Sequence, residues 1–403
     1  MSHRWTLAPY FALIGVTTMS LGAVFTMLAE FRDRLGLSES GIGLMVAMGF
    51  FAAFAGQILL ARFADRGHSK TMIRLGLACV VASLSWMVVA TELWQFVGAR
   101  MLLGAGIGAI FPSVRRIVIA ADPAQVGSNL GLLGSFDVSG FVVGPLVAAI
   151  FTEAIGFRAP FVVLALATAS FLPFVTRLPT DAGVVSHERQ VVRVLLRRRG
   201  MQAALVVAAG WFAMIGTFEA VWAVLLTDRG AETWLIGVTL SIIVLPMIVL
   251  APVGGRLAQR HGPLRVAGIG VLLVVPCVVA YGFVGSLLAL TLLALLQGVG
   301  DAVTFPATQV GAAMTADDSQ LASAQGLLGA MLELTAGLVA LVAGVVYDVW
   351  GPGPLFAGTG LFMVVGVAAS ALLAVPLARE GHAAVFGSPS RPVQPTAATG
   401  LES

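Results

Sequence analysis

The chain has 403 residues, of which 58% are hydrophobic and only 11% charged, with a formal net charge of +3. Soluble domains carry about 25% charged residues, so this composition cannot clothe a water-exposed globule and an integral membrane protein is expected. The cations gather in short loops without interleaved aromatics, which excludes nucleic acid as a partner and fits a topology signal instead.

The N-terminus, Met1 to Trp5, is short and basic, and an apolar stretch follows from Leu7. That stretch is too long for a signal peptide, so it reads as an uncleaved first span. A span needs about 20 apolar residues. Twelve are expected, with cores at 8–29, 42–61, 71–91, 94–114, 128–151, 158–176, 203–226, 235–255, 265–284, 287–310, 322–346 and 353–377. Each must be a helix, because backbone groups exposed to lipid have to satisfy one another and the runs are too long for barrel strands.

Loop cations orient the spans. His3 and Arg4 precede span one, and Arg62, Arg66, Lys70 and Arg74 flank the loop after span two. Arg115 and Arg116 end span four; Arg189, Arg193, Arg197, Arg198 and Arg199 lie between spans six and seven; Arg256, Arg260 and Arg265 lie between spans eight and nine. All these loops fall on one side, read as cytoplasmic, with both termini there and the chain multi-pass in the plasma membrane. The expected organisation is an N-terminal six-helix bundle (1–177), a basic linker (178–200), a C-terminal six-helix bundle (201–378) and a disordered tail (379–403). The end of the linker, Val191 to Leu196, reads either as an amphipathic helix on anionic headgroups or as a plain basic connector. Cys79 and Cys277 fall inside spans of different halves, so neither a disulfide nor a metal site is expected.

The halves repeat at an offset of about 194 residues. Ile42-Gly43 recurs as Ile236-Gly237, Gly104-Ala105-Gly106 as Gly298-Val299-Gly300, and Phe111-Pro112 as Phe305-Pro306. After one inserted residue, Gly131-Leu132-Leu133-Gly134 recurs as Gly326-Leu327-Leu328-Gly329. Matching halves in a membrane chain point to a transporter that rocks one half against the other.

Three local patterns, with the twelve spans and the repeat, resemble the major facilitator superfamily over roughly residues 5–380, most nearly its twelve-spanner drug:proton antiporters. The loop after span two, Ala61-Arg62-Phe63-Ala64-Asp65-Arg66-Gly67-His68-Ser69-Lys70, resembles the family pattern Gly-x-x-x-Asp-Arg-x-Gly-Arg-Arg, keeping Asp65, Arg66 and the final cation Lys70. Its second copy ends in Gln259-Arg260, with the acid replaced. The resemblance implies a latch in which Asp65 bonds the N-terminus of a partner helix or an arginine across the interface; the plainer alternative is topology charge alone. In span four, Arg100 to Gly108 resembles the Arg-x-x-x-Gly-x-Gly signature. An arginine at helix centre costs about 2.5–3.5 kcal/mol to insert, which predicts a partner; the alternative is snorkelling to the outer headgroups. In span five, Gly140-Phe141-Val142-Val143-Gly144-Pro145 resembles the Gly-x-x-x-Gly-Pro signature of antiporters, though Ala148 and Ala149 stand where further glycines are usual. Such spacing also serves ordinary helix packing. There is no Pro-Glu-Ser-Pro-Arg stretch after span six, against a sugar porter, and span one lacks the paired prolines common in drug exporters.

Ionisable residues within spans default to functional candidates. Four acids qualify, in the order Asp301 (span ten), Asp137 (span five), Glu219 (span seven) and Glu333 (span eleven), with Arg100 as the candidate cation. The resemblance implies that spans one, four, seven and ten line a central cavity, which Glu219, Asp301 and Arg100 would face, and that spans two, five, eight and eleven form the sliding interface, which would hold Asp137 and Glu333. A carboxyl group in apolar surroundings binds its proton more tightly, so a proton and a substrate could compete for one acid; each acid could equally be a structural hydrogen-bonded group. Trp211, Met214, Phe218, Trp222, Met19, Phe25 and Met27 on spans one and seven are candidate cavity-lining residues, since aromatic and methionine side chains adapt to varied apolar ligands; they would serve packing equally.

All five histidines lie in loops or termini, and no Gly-rich phosphate loop with Lys and Ser/Thr is present. Neither an enzyme nor a cofactor is expected. The leading expectation is proton-coupled efflux of small apolar or cationic compounds by a monomeric carrier whose partners are its substrate, protons and the lipid bilayer. The alternatives are a carrier for a polar or anionic metabolite and a non-transporting membrane sensor.

Overall fold

A computed structural model describes residues 3–27, 31, 39–177, 191–231 and 233–387. Every element among them is helical. The first half comprises α1 (His3–Thr26), α2 (Glu39–Phe63), α3 (Ser69–Val89), α4 (Leu93–Ala121), α5 (Val126–Ala154), and α6 (Ala159–Ala169) continued by α7 (Leu172–Arg177). A short helix, α8 (Val191–Arg197), precedes the second half: α9 (Arg199–Asp228), α10 (Thr233–His261), α11 (Pro263–Tyr281), α12 (Leu287–Met314), α13 (Leu321–Trp350) and α14 (Pro352–Arg379). Nine stretches among the described residues are long and apolar enough to cross a membrane. One of them, Ala47–Val89, contains two helices, α2 and α3, joined by a single π turn over Ala64–His68 in which Gly67 takes φ 86°.

Breaks fall where the local chemistry puts them. Gln95 accepts the backbone N–H groups of Thr91 and Glu92 at 2.7 and 2.9 Å, closing the start of α4 with a reciprocal cap. Gly262, at φ 93°, with Pro263 behind it, turns the chain from α10 into α11.

The packing repeats as the sequence does. In the first half α1 packs on α5, α2 and α3 on α4, and α3 on α6; in the second, α9 packs on α13, α10 and α11 on α12, and α11 on α14. Each half has its own aromatic cluster. Phe31, Phe96, Phe157 and Phe161 interlock in the first, and Phe218, Trp222, Tyr281 and Phe356 in the second. Between halves the two most extensive seams among the described residues are α5 with α10 and α2 with α13. The seams lie at the end of the molecule that carries the π turn, called the latch end below. There Gly127 and Gly255 approach so closely that a Cβ on either would fall on the other's carbonyl oxygen. One turn on, Gly131 lies on the carbonyl of Ala251, and its repeat mate Gly326 on that of Gln57.

The helix α8 leans on α9 and α13 through buried Leu195. Residues 178–190 of the linker lie outside the described residues. Of the tail expected to be disordered from 379, a short helix, α15 (Ala383–Phe386), packs beneath the second half with Ala384 fully buried; residues 388–403 lie outside the described residues. Both cysteines are free.

Candidate functional site

At the latch end, the end of α2 meets the start of α13. Asp65 is 2% exposed and accepts the backbone N–H groups of Ala322 (2.7 Å) and Ser323 (2.8 Å) and the Ser323 hydroxyl (2.6 Å). Its carboxylate sits at the positive end of the α13 dipole, satisfying N–H groups that no helix can satisfy internally. Arg116 of α4 approaches the same carboxylate at 3.6 Å and donates to Ser69 at 3.2 Å. The second copy of the loop performs the same task without charge. Gln259 of α10 accepts the N–H of Gly127 at 2.7 Å through its side-chain oxygen, and its amide nitrogen donates to the carbonyls of Ala124 and Pro123. Gly127 and Ala322 are repeat mates, so each half caps the other's helix.

Deeper along the seams lies a second polar cluster. Glu333 of α13 accepts from Gln57 of α2 at 2.6 Å, a bond that crosses between halves. Arg115 of α4, 7% exposed, reaches Asp137 of α5 at 3.9 Å and interacts electrostatically with Glu333 as well. The backbone carbonyl of Asp137 accepts from Thr18 of α1. Arg100, 2% exposed on α4, lies against Gly49 of α2 and shares with Glu333 a cavity of about 30 Å³, enough for about one water molecule. The cluster holds two acids and two arginines contributed by both halves, so relative motion of the halves must rearrange it.

A third cluster lies wholly within the second half. Asp301 of α12, 1% exposed, accepts from Trp211 Nε1 at 2.7 Å on one oxygen and from Gln297 at 3.0 Å on the other. Gln297 in turn accepts from the Tyr281 hydroxyl at 2.6 Å. Both carboxylate oxygens are bonded by donors in α9 and α12, and neither belongs to a seam. Replacing Trp211 with Phe removes one of these donors and is expected to cost about 1–3 kcal/mol. A lowered melting temperature in detergent, with the helical signal unchanged, checks this; an unshifted value would show the bond to be dispensable.

The remaining candidates distribute as follows. Glu219 is exposed on α9 and makes no hydrogen bond or ion pair among the described residues. Trp222 is buried, stacked on Phe218 and donating to Thr239. Met19 is half-buried on α1, and the side chain of Phe25 lies outside the described residues. Gly140 and Gly144 pack α5 onto α1, against the carbonyls of Gly15 and Met19, with Pro145 beside Gly22; they join helices of one half. Arg66 and Arg260 are exposed and Lys70 half-buried at the latch end. Sequence reasoning missed Arg115 and Arg116 as site residues, read Gln259 only as the replaced acid of the second loop copy, and missed Gln57 and Gln297 altogether. The signal available was the repeat itself, since Gln259 stands in register with Asp65.

Two repeated helical bundles with ionisable groups buried along their seam define a multi-span membrane transporter. The chain belongs to the Major Facilitator Superfamily, whose family model matches residues 10–243 and 220–399. Over 315 residues it is 27% identical to the multidrug resistance protein MdtG of Salmonella typhimurium, covering 72% of this chain and 76% of that protein; the Salmonella dublin protein is equally similar. Among solved structures, the fucose transporter FucP in its outward conformation superposes with a TM-score of 0.76 at 16% identity, over 93% of this chain and 99% of that one. The human organic anion transporter MFSD10 does so with a TM-score of 0.74 at 17% identity, over 92% and 100%.

Proposed function

We propose that this transporter exports small apolar or cationic compounds in exchange for protons, by alternating access and without covalent chemistry. The observation that carries the reading is Glu333, a carboxylate of one half bonded to Gln57 and facing Arg115 of the other. Its charge state bears directly on the seam. Deprotonated, it attracts Arg115 and holds the halves together; protonated, it loses that attraction, and the latch end is freer to part. With the cation-rich loops cytoplasmic, the halves as described meet at the cytoplasmic end. The inward proton gradient then drives the cycle, its electrical part contributing about 2.3 kcal/mol per charge per 100 mV. The kinship with MdtG, a multidrug resistance protein, supports an apolar or cationic substrate.

A second reading, carriage of an anionic metabolite, draws on Arg100 and Arg115, two buried guanidinium groups close to the seam. One experiment separates them. Purified protein near pH 7 receives a panel of lipophilic cations and of polar anions, and proton release is recorded for wild type, Glu333→Gln, Asp137→Asn and Asp301→Asn. The expected result is release with lipophilic cations, abolished in Glu333→Gln and retained in Asp301→Asn. Loss in Asp301→Asn alone would move the coupling site into the second half. A response to anions only would overturn the efflux reading.

A further inference from the structure

One cavity on the described surface has no part in the seams. It is a groove of about 330 Å³ between α11 and α14 on the outside of the second half, closed at the latch end by Val385 of α15. That volume is within the range of small-molecule sites, about 300–1,000 Å³. Small residues carve it: Gly268 on α11, and Ala371 and Ala374 on α14. Its one hydroxyl, on Ser370, is turned away and donates to the carbonyl of Ala203 on α9 at 2.8 Å. The walls therefore offer an occupant only hydrocarbon. Around the groove stand exposed Ile269, Leu272, Leu361 and Leu372, the side chains that a bilayer solvates.

One charged residue lines the groove, and it sits at the latch end. Arg265 is exposed, and it makes no hydrogen bond or ion pair among the described residues. It occupies the first turn of α11, where the helix dipole disfavours a cation. Its charge is thus not used to stabilise the helix. An apolar channel running along the membrane normal with a guanidinium at the headgroup level matches one molecule in chemistry: a phospholipid whose acyl chain fills the groove and whose anionic phosphate meets Arg265.

We propose that the α11–α14 groove is a binding site for an anionic phospholipid, held by Arg265 and sealed below by α15. The site is independent of substrate and proton coupling. It also gives the ordered part of the tail a task, since Val385 supplies its floor.

The test is native mass spectrometry of the full-length protein in detergent, titrated with phosphatidylglycerol and, separately, with phosphatidylcholine. Phosphatidylglycerol is expected to remain bound preferentially. Arg265→Gln removes a contact of about 1 kcal/mol and should weaken phosphatidylglycerol about fivefold while leaving phosphatidylcholine unchanged. Gly268→Leu fills the groove from a position where a Cβ meets only Val367, at 3.5 Å, and should abolish the bound lipid while the protein stays monodisperse. Equal retention of both lipids, indifferent to Arg265→Gln, would overturn the anionic assignment. Undiminished binding in Gly268→Leu would overturn the groove. Displacement of the lipid by a lipophilic cation at equimolar concentration would make the groove a substrate entry site and likewise overturn the proposal.

Discussion

Replacing Asp65 with asparagine is expected to shift the transporter away from the state closed at the latch end by about two orders of magnitude. The carboxylate accepts two backbone N–H groups and one hydroxyl from the start of α13 and faces Arg116. An amide retains one acceptor oxygen and points an NH₂ group at N–H donors, and it leaves Arg116 beside a neutral partner. Removing one member of a buried pair costs about 3–5 kcal/mol, and each 1.4 kcal/mol is a factor of ten. Spin labels at Arg74 and Arg256, exposed residues of opposite halves, report the change as a longer mean distance, once Cys79 and Cys277 are replaced. Transport should fall with it, because a cycle that seldom closes at this end cannot open at the other. An unchanged distance distribution would show that the hydrogen bonds follow closure without stabilising it.

The second large effect is expected at Gly127 and Gly255. Alanine at either position places a methyl carbon on the other's carbonyl oxygen. Backbone cannot yield as a flexible side chain can, so the α5–α10 seam must separate at that point, at about 1–3 kcal/mol or more. Transport is expected to drop at least tenfold in each single variant. The double variant should be scarcely worse than either, since both substitutions open one contact and their energies are not additive. Gly337→Ala is the control, because nothing lies within 4 Å of its Cβ direction. Additive losses in the double variant would mean that the two glycines act in separate places.

The fold was legible because lipid imposes a simple rule on sequence: long apolar runs must be helices, and their repetition must become two bundles. Asp65 was legible for the same kind of reason, since an acid in a loop that needs only cations for orientation calls for another explanation. Arg115 and Arg116 were misread. Hydropathy ends span four near residue 114 because two charges follow, yet α4 runs on to Ala121 with both side chains buried. What keeps those charges inside is a pair of acids from elsewhere in the chain, Asp137 and Asp65, and no window along the sequence can see a partner that distant. Gln57 and Gln297 were illegible on different grounds. A neutral amide in an apolar span is cheap enough to pass unnoticed, and only hydrogen bonds across helices, from Gln57 to Glu333 and from Tyr281 to Gln297, reveal it.

The two caps at the latch end differ in one atom's charge, and that difference gives the opening motion a direction. Hydrogen bonds between neutral groups contribute about 0.5–1.5 kcal/mol net, whereas those to ions contribute about 1.5–3. Gln259 can therefore exchange its bonds to Gly127 and Ala124 for water at little cost, while Asp65 must leave a helix terminus and an arginine together. A pair of bundles joined by one weak clasp and one strong one does not part evenly. In the proposed cycle it is expected to unzip from the α5–α10 side, pivoting about the α2–α13 side until the carboxylate lets go, so that the passage would first appear as a slit along one seam before widening into a channel.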